Sequence, residues 1–128
     1  MKKLIVVIED DRDILDLIQY ILIEEGYKVI GYDRIERIES IIAKQPSLIL
    51  LDNRLADGYG NTLCLELKSH VLGKNIPVIL VSASGNLGQV AKACGADGIL
   101  QKPFDLAELI AIVKRYHNSD SLVKSGGI

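Results

Sequence analysis

Five short apolar runs, each bounded by polar or turn-forming residues, constrain this chain more than any other feature. Leu4-Ile5-Val6-Val7-Ile8 is continuous and largely β-branched, with no polar alternation. Such a strand is buried on both faces, as in a parallel sheet covered by helices. Lys28 to Tyr32 reads as a second strand, Leu48 to Leu51 as a third, Pro77 to Val81 as a fourth, and Ile99-Leu100 as a short fifth. Between them, apolar residues recur at helical spacing. Ile14, Leu17, Ile18, Ile21 and Leu22 mark a helix with Gly26 just past its end. Asp33 is placed to cap a second helix, with Ile35, Ile38, Ile41 and Ile42 inward and Pro46 closing it. A third spans Asn61 to about His70 and buries Leu63, Cys64 and Leu67. A fourth covers about Asn86 to Ala93, weakened by any glycine inside it. The last starts at Asp105 and buries Leu106, Leu109, Ile110 and Val113.

Strands joined by helical crossovers run parallel. The pattern therefore predicts a single doubly wound α/β domain: a five-stranded parallel sheet with helices on both faces. Residues 1–118 are expected to form it and 119–128 a flexible tail.

Composition excludes several classes. Of 128 residues, 48% are apolar and 25% charged, which suits one globular core and not a disordered chain. The net charge is −2 and no basic stripe is present, so direct nucleic-acid binding is not expected. No apolar run approaches the roughly 20 residues of a membrane span, and no leader pattern follows Lys2-Lys3. A cytoplasmic location is expected. Cys64 and Cys94 read as unpaired core thiols, and His70 and His117 have no partners at zinc-ligand spacing.

The strand ends carry the chemistry. In open parallel sheets, sites lie at the carboxyl ends of strands. The first strand ends in Glu9-Asp10-Asp11, the third in Asp52, the fourth in Ser82 and the fifth in Gln101-Lys102-Pro103. Asp11 or Asp13 can serve a helix start, but Glu9 and Asp10 come too early for that role. If Asp52 lies beside them, like charges repel by about 4 kcal/mol per pair at 4 Å in an effective dielectric near 20. A divalent cation offsets this, and oxygen donors favour Mg²⁺ over zinc. Lys102 leaves on the same edge, where it can pair with phosphate; its bond to Pro103 is a candidate for the cis form. An aspartate between Mg²⁺ and a lysine is an activated nucleophile for phosphoryl transfer, and Ser82 can donate to a phosphoryl oxygen.

IVVIEDD, LILLDNRLADGYG, VILVSAS and LQKPF together, in this order, resemble the receiver domain of bacterial response regulators, the phospho-acceptor half of two-component signalling. The resemblance covers about Lys3 to Tyr116. It implies a flavodoxin-like sheet of strand order 2-1-3-4-5, counting the five strands above. It makes Asp52 the phosphorylated residue, Glu9 and Asp10 the acidic pair holding Mg²⁺, and the backbone carbonyl of Arg54 a further metal ligand. Ser82 and Lys102 match the residues that gather around the phosphoryl group, and Gly60 the glycine that lets the loop turn into the third helix. Ser84 and Arg54 sit at positions resembling those that tune phosphoryl lifetime. The implied partners are a sensor histidine kinase or phosphotransfer protein and a downstream protein.

Two positions depart from the family pattern. Ala56 stands where receivers often carry proline, and Ile99 where they usually carry an aromatic ring that moves with the Ser/Thr loop. The second departure leaves an alternative open: a degenerate receiver that acts as a protein-binding module without phosphorylation-driven output. A turnover phosphatase is disfavoured because Arg54 occupies the position of its general acid. A flavin site is disfavoured by the acids after the first strand, where a phosphate-cradling loop would want Ser, Thr and Gly. The chain is expected to be either a stand-alone receiver or a piece of a longer protein.

Overall fold

A computed structural model describes residues 3–55 and 58–126, with side chains as far as Tyr116. In chain order the elements are β1 (Leu4–Ile8), α1 (Arg12–Glu24), β2 (Lys28–Tyr32), α2 (Ile38–Ala43), β3 (Leu48–Asp52), β4 (Arg54–Leu55), β5 (Gly58–Tyr59), α3 (Gly60–Ser69), β6 (Val78–Ser82), α4 (Leu87–Cys94), β7 (Gly98–Gln101) and α5 (Leu106–Gly126). Five strands pair in the order β2-β1-β3-β6-β7, all parallel. This is the predicted doubly wound, flavodoxin-like sheet.

Period-two alternation along the strands divides the core. Ile5 and Val7, Leu48 and Leu50, and Ile79 and Val81 face Leu15, Ile18 and Leu22 of α1 and Leu109 and Val113 of α5. Val6 and Ile8, Ile49 and Leu51, and Val78 and Leu80 face Ile41, Leu63, Leu67 and Leu87 of α2, α3 and α4. All five residues of β3 and of β6 are buried. The free thiols Cys64 and Cys94 lie in the second core, as expected. Burial pushes the Cys64 thiol up to about 12, so it stays protonated and serves as packing.

Several expectations need correction. Asp33 does not cap α2, which starts after Arg37 with no side-chain cap; its carboxylate instead binds Arg12 at 2.8 Å and Arg34 at 3.3 Å. Leu17 is exposed, and Leu15 takes the inward place. Both choices share Ile18 and Leu22, and docking on the sheet selects the phase with Leu15. Leu106 is exposed in the first turn of α5, ahead of the buried Leu109. β4 and β5, a two-rung antiparallel hairpin after β3, had no counterpart in the reading of the sequence. Ala56 falls outside the described residues, while α5 continues through 119–126 of the proposed tail, where only the backbone is described.

Candidate functional site

Register brings the acids together. Ile8 pairs with Leu51, so the next residues, Glu9 and Asp52, stand side by side. The N–H of Glu9 donates to Tyr32 O at 3.0 Å, which carries the extended backbone one residue past β1. Glu9 therefore follows Ile5 and Val7 onto the α1–α5 side of the sheet, and Asp52 follows Leu48 and Leu50 onto the same side. The crossover that leaves β1 runs to β2 on one side, and the one that leaves β3 runs to β6 on the other. The crevice between β1 and β3 is thus the switch point where such sheets place their sites.

Asp11 is taken by helix capping. Its Oδ1 accepts from the N–H groups of Asp13 at 3.0 Å and Ile14 at 3.2 Å. That frees Glu9 and Asp10. One carboxylate oxygen from each of Glu9, Asp10 and Asp52 lies within 4.8 Å of the others. Glu9 and Asp52 are buried, whereas Asp10 is half-buried.

Lys102 supplies the positive charge. Its N–H donates to Ser82 O at 2.8 Å, holding it at the end of β6. Its Nζ donates to Glu9 Oε1 at 2.7 Å and reaches Asp52 Oδ2 at 3.4 Å. The Lys102–Pro103 peptide is cis. Ser82, also buried, ends β6 one residue past Val81, which pairs with Asp52; its Oγ accepts from Ser84 N–H at 3.2 Å. The Arg54 N–H faces Asp52 Oδ1 at 3.4 Å, while the Arg54 side chain is exposed. These groups, with Ser84, line one open cleft of about 480 Å³.

The electrostatics are unbalanced. Burial, and next the Asp52 carboxyl against it, lift Glu9 from 4.5 to about 7, although Lys102 works the other way. Burial pulls the Lys102 pKa down, but its hydrogen bond to Glu9 and the charges of Asp52 and Glu9 outweigh this and raise it. Lys102 therefore stays an ammonium at neutral pH. Three carboxyl groups face one ammonium, and Glu9 Oε2 is buried without a hydrogen-bond partner. Oxygen donors, excess negative charge and an unpartnered buried oxygen fit a hard divalent cation.

All the site residues expected from sequence lie at this one sheet edge. Ile99 does not belong to the cluster: it is 40% exposed on β7. Sequence reasoning missed Asn53, a buried polar residue that follows Asp52. Its signal was available, since an amide next to an apolar strand end needs partners.

Comparisons with known proteins agree with this geometry. The family described as response regulator receiver domain matches residues 5–114. A CheY-like response regulator receiver domain protein from Methanospirillum hungatei JF-1 is 26% identical, with a TM-score of 0.84 over 94% of this chain and 98% of that one. A two-component response regulator from Clostridium difficile is 27% identical, with a TM-score of 0.80 over 90% of this chain and 95% of that one. NtrX from Brucella abortus, solved with ADP, is 28% identical with a TM-score of 0.84; the match covers 99% of this chain and 30% of NtrX. No helix among the described residues is long and apolar enough to cross a membrane.

Proposed function

Because this chain belongs to the response regulator receiver domain family, we propose that it is a phosphorylatable switch whose acceptor is Asp52. The donor is a histidine kinase or a phosphotransfer protein, and the reaction depends on Mg²⁺. One observation carries the reading: Asp52 ends a buried strand within reach of both an ammonium group and two further carboxylates.

Asp10, Asp52 and the Arg54 carbonyl would hold Mg²⁺, with Glu9 reaching it directly or through water. When bound, the ion supplies positive charge against the oxygens of the transferring group. An Asp52 oxygen attacks phosphorus, the bond from phosphorus to the donor nitrogen breaks, and the electron pair leaves with that nitrogen. The product is an acyl phosphate on Asp52. Lys102 then faces a new anion and shifts its hydrogen bonding from Glu9 toward the phosphoryl oxygens. The Ser82 hydroxyl accepts from Ser84 N–H and keeps its own proton to donate to the same group. Drawing Ser82 in moves residues 83–86 and biases α4 toward a second arrangement, which a downstream protein reads. The chain acts as an acceptor and not as a turnover enzyme, since Arg54 brings a cation where a phosphatase would need a general acid. A cytoplasmic setting suits these donors.

The test is phosphoryl labelling from acetyl phosphate with Mg²⁺. Wild type is expected to take up label and Asp52→Asn to remain unlabelled; equal labelling would reject the assignment.

The exposure of Ile99 supports a second reading, a binding module in which phosphorylation has no output. Amide shifts on adding beryllofluoride separate the two. Shifts extending through α4 and β7 favour the switch, whereas shifts confined to the cleft favour the module.

A further inference from the structure

Asn53 is buried beside the acceptor and has no part in the chemistry above. Its N–H donates to Val81 O at 2.9 Å, fastening it to β6. Its carbonyl accepts from Gly60 N–H at 2.7 Å. Its side-chain Oδ1 accepts from Asn61 N–H at 3.0 Å. Helix α3 begins at Gly60, and Tyr59 offers it no side-chain cap. The orphan amides of the first turn must find acceptors elsewhere, and Asn53 supplies one from across the β4–β5 hairpin. The hairpin is thus closed at its base by two bonds to a single residue.

The geometry has a consequence for the cleft. Asn53 lies between Asp52 and Arg54 in the chain, and the Arg54 N–H faces Asp52 Oδ1. If α3 drifts from Asn53, the Arg54 backbone drifts from the carboxylate. We infer that Asn53 is a positioning residue: its side-chain oxygen, by gripping the start of α3, sets the Arg54 backbone against Asp52 and so sets Mg²⁺ affinity and the rate of phosphoryl transfer. The inference rests on the function proposed above.

Asn53→Leu and Asn53→Asp separate this from a merely structural role. Leucine keeps the volume but removes the acceptor; aspartate keeps an oxygen in the same place. Mg²⁺ is titrated into each unphosphorylated 128-residue chain and followed by amide shifts, with thermal melting as a fold check. Asn53→Leu is expected to weaken Mg²⁺ binding by about tenfold, as supporting residues around metal ligands typically do. It should also slow acetyl phosphate labelling at saturating Mg²⁺ and speed hydrogen exchange at the Asn61 amide. Asn53→Asp should bind Mg²⁺ at least as tightly as wild type. If Asn53→Leu melts below the assay temperature, Asn53→Ala repeats the comparison without that bulk. Should Asn53→Leu bind Mg²⁺ like wild type, or Asn53→Asp bind as weakly as Asn53→Leu, the inference is overturned alone. A wild-type chain that binds no Mg²⁺ would overturn the proposed function and this inference with it.

Discussion

Gly60→Ala should damage both the fold and the site, and the structure sets the scale. A Cβ on Gly60 would lie 2.2 Å from the backbone oxygen of Asp52 and 3.0 Å from Leu51 Cγ. Ordinary contact begins near 3.4 Å, so about 1.2 Å of clearance must be found. The obstructing atom is main chain in the buried β3 strand, which cannot swing aside. The Gly60 N–H is already committed to Asn53 O at 2.7 Å, so moving the helix start stretches that bond. Overpacking of this kind costs about 1–3 kcal/mol, and a backbone obstacle argues for the upper end. Alanine recovers at most about 1 kcal/mol of helix propensity. The net loss is about 2 kcal/mol, or roughly 6–10 °C in Tm for a domain of this size. Gly88→Ala in α4 is the control: its Cβ would meet nothing within 4 Å, and it should stabilise by about 0.5–1 kcal/mol. Urea unfolding with an unchanged slope measures both. Since the displaced atom belongs to Asp52, labelling from acetyl phosphate should also slow in Gly60→Ala alone. Equal unfolding midpoints for the two variants would refute the reasoning.

Two further outcomes follow from the ion pairs. Glu9 titrates near 7 in the fold against 4.5 in its absence, mainly because it is buried, so the folded chain holds that proton more tightly. Its contribution to stability is complete below about pH 4.5 and is lost as pH rises through 7; Glu9→Gln should flatten this decline, and parallel urea midpoints for the two chains at pH 5 and pH 8 would contradict it. Lys68 donates to Asp97 at 2.6 Å and to Ile76 O at 2.7 Å, bridging α3 to the strand starts far from the cleft. Lys68→Met should cost about 2 kcal/mol by leaving these acceptors short of a donor, with labelling unchanged; slower labelling at wild-type stability would sink that reading.

Much of the fold was legible because the decisive patterns are local. Apolar runs such as Leu48–Leu51 admit few alternatives to a covered parallel strand, and Glu9, Asp52 and Lys102 stand where those runs end. Register is another matter. That Ile8 meets Leu51, and hence Glu9 meets Asp52, follows from pairing between distant segments, which no local pattern encodes. The β4–β5 hairpin was invisible because each strand is two residues long and neither is an apolar run. Asp33 was misread because a helix cap and a surface ion pair ask for the same side chain, and Arg12, 21 residues earlier, decided between them. Leu15 and Leu17 both fit a helical stripe, and tertiary docking made the choice. Asn53 escaped notice because its worth lies in an amide eight residues ahead.

The proposed switch stands on Asp52 accepting a phosphoryl group in a cleft lined by Glu9, Asp10 and Lys102. A crystal structure grown with Mg²⁺ and beryllofluoride tests it most directly. Fluoroberyllate is expected on the Asp52 carboxylate, with Mg²⁺ touching Asp10 and Asp52 and the Lys102 amine turned toward the fluorides. Fluoroberyllate on another side chain, or Mg²⁺ bound away from these acids, would contradict it.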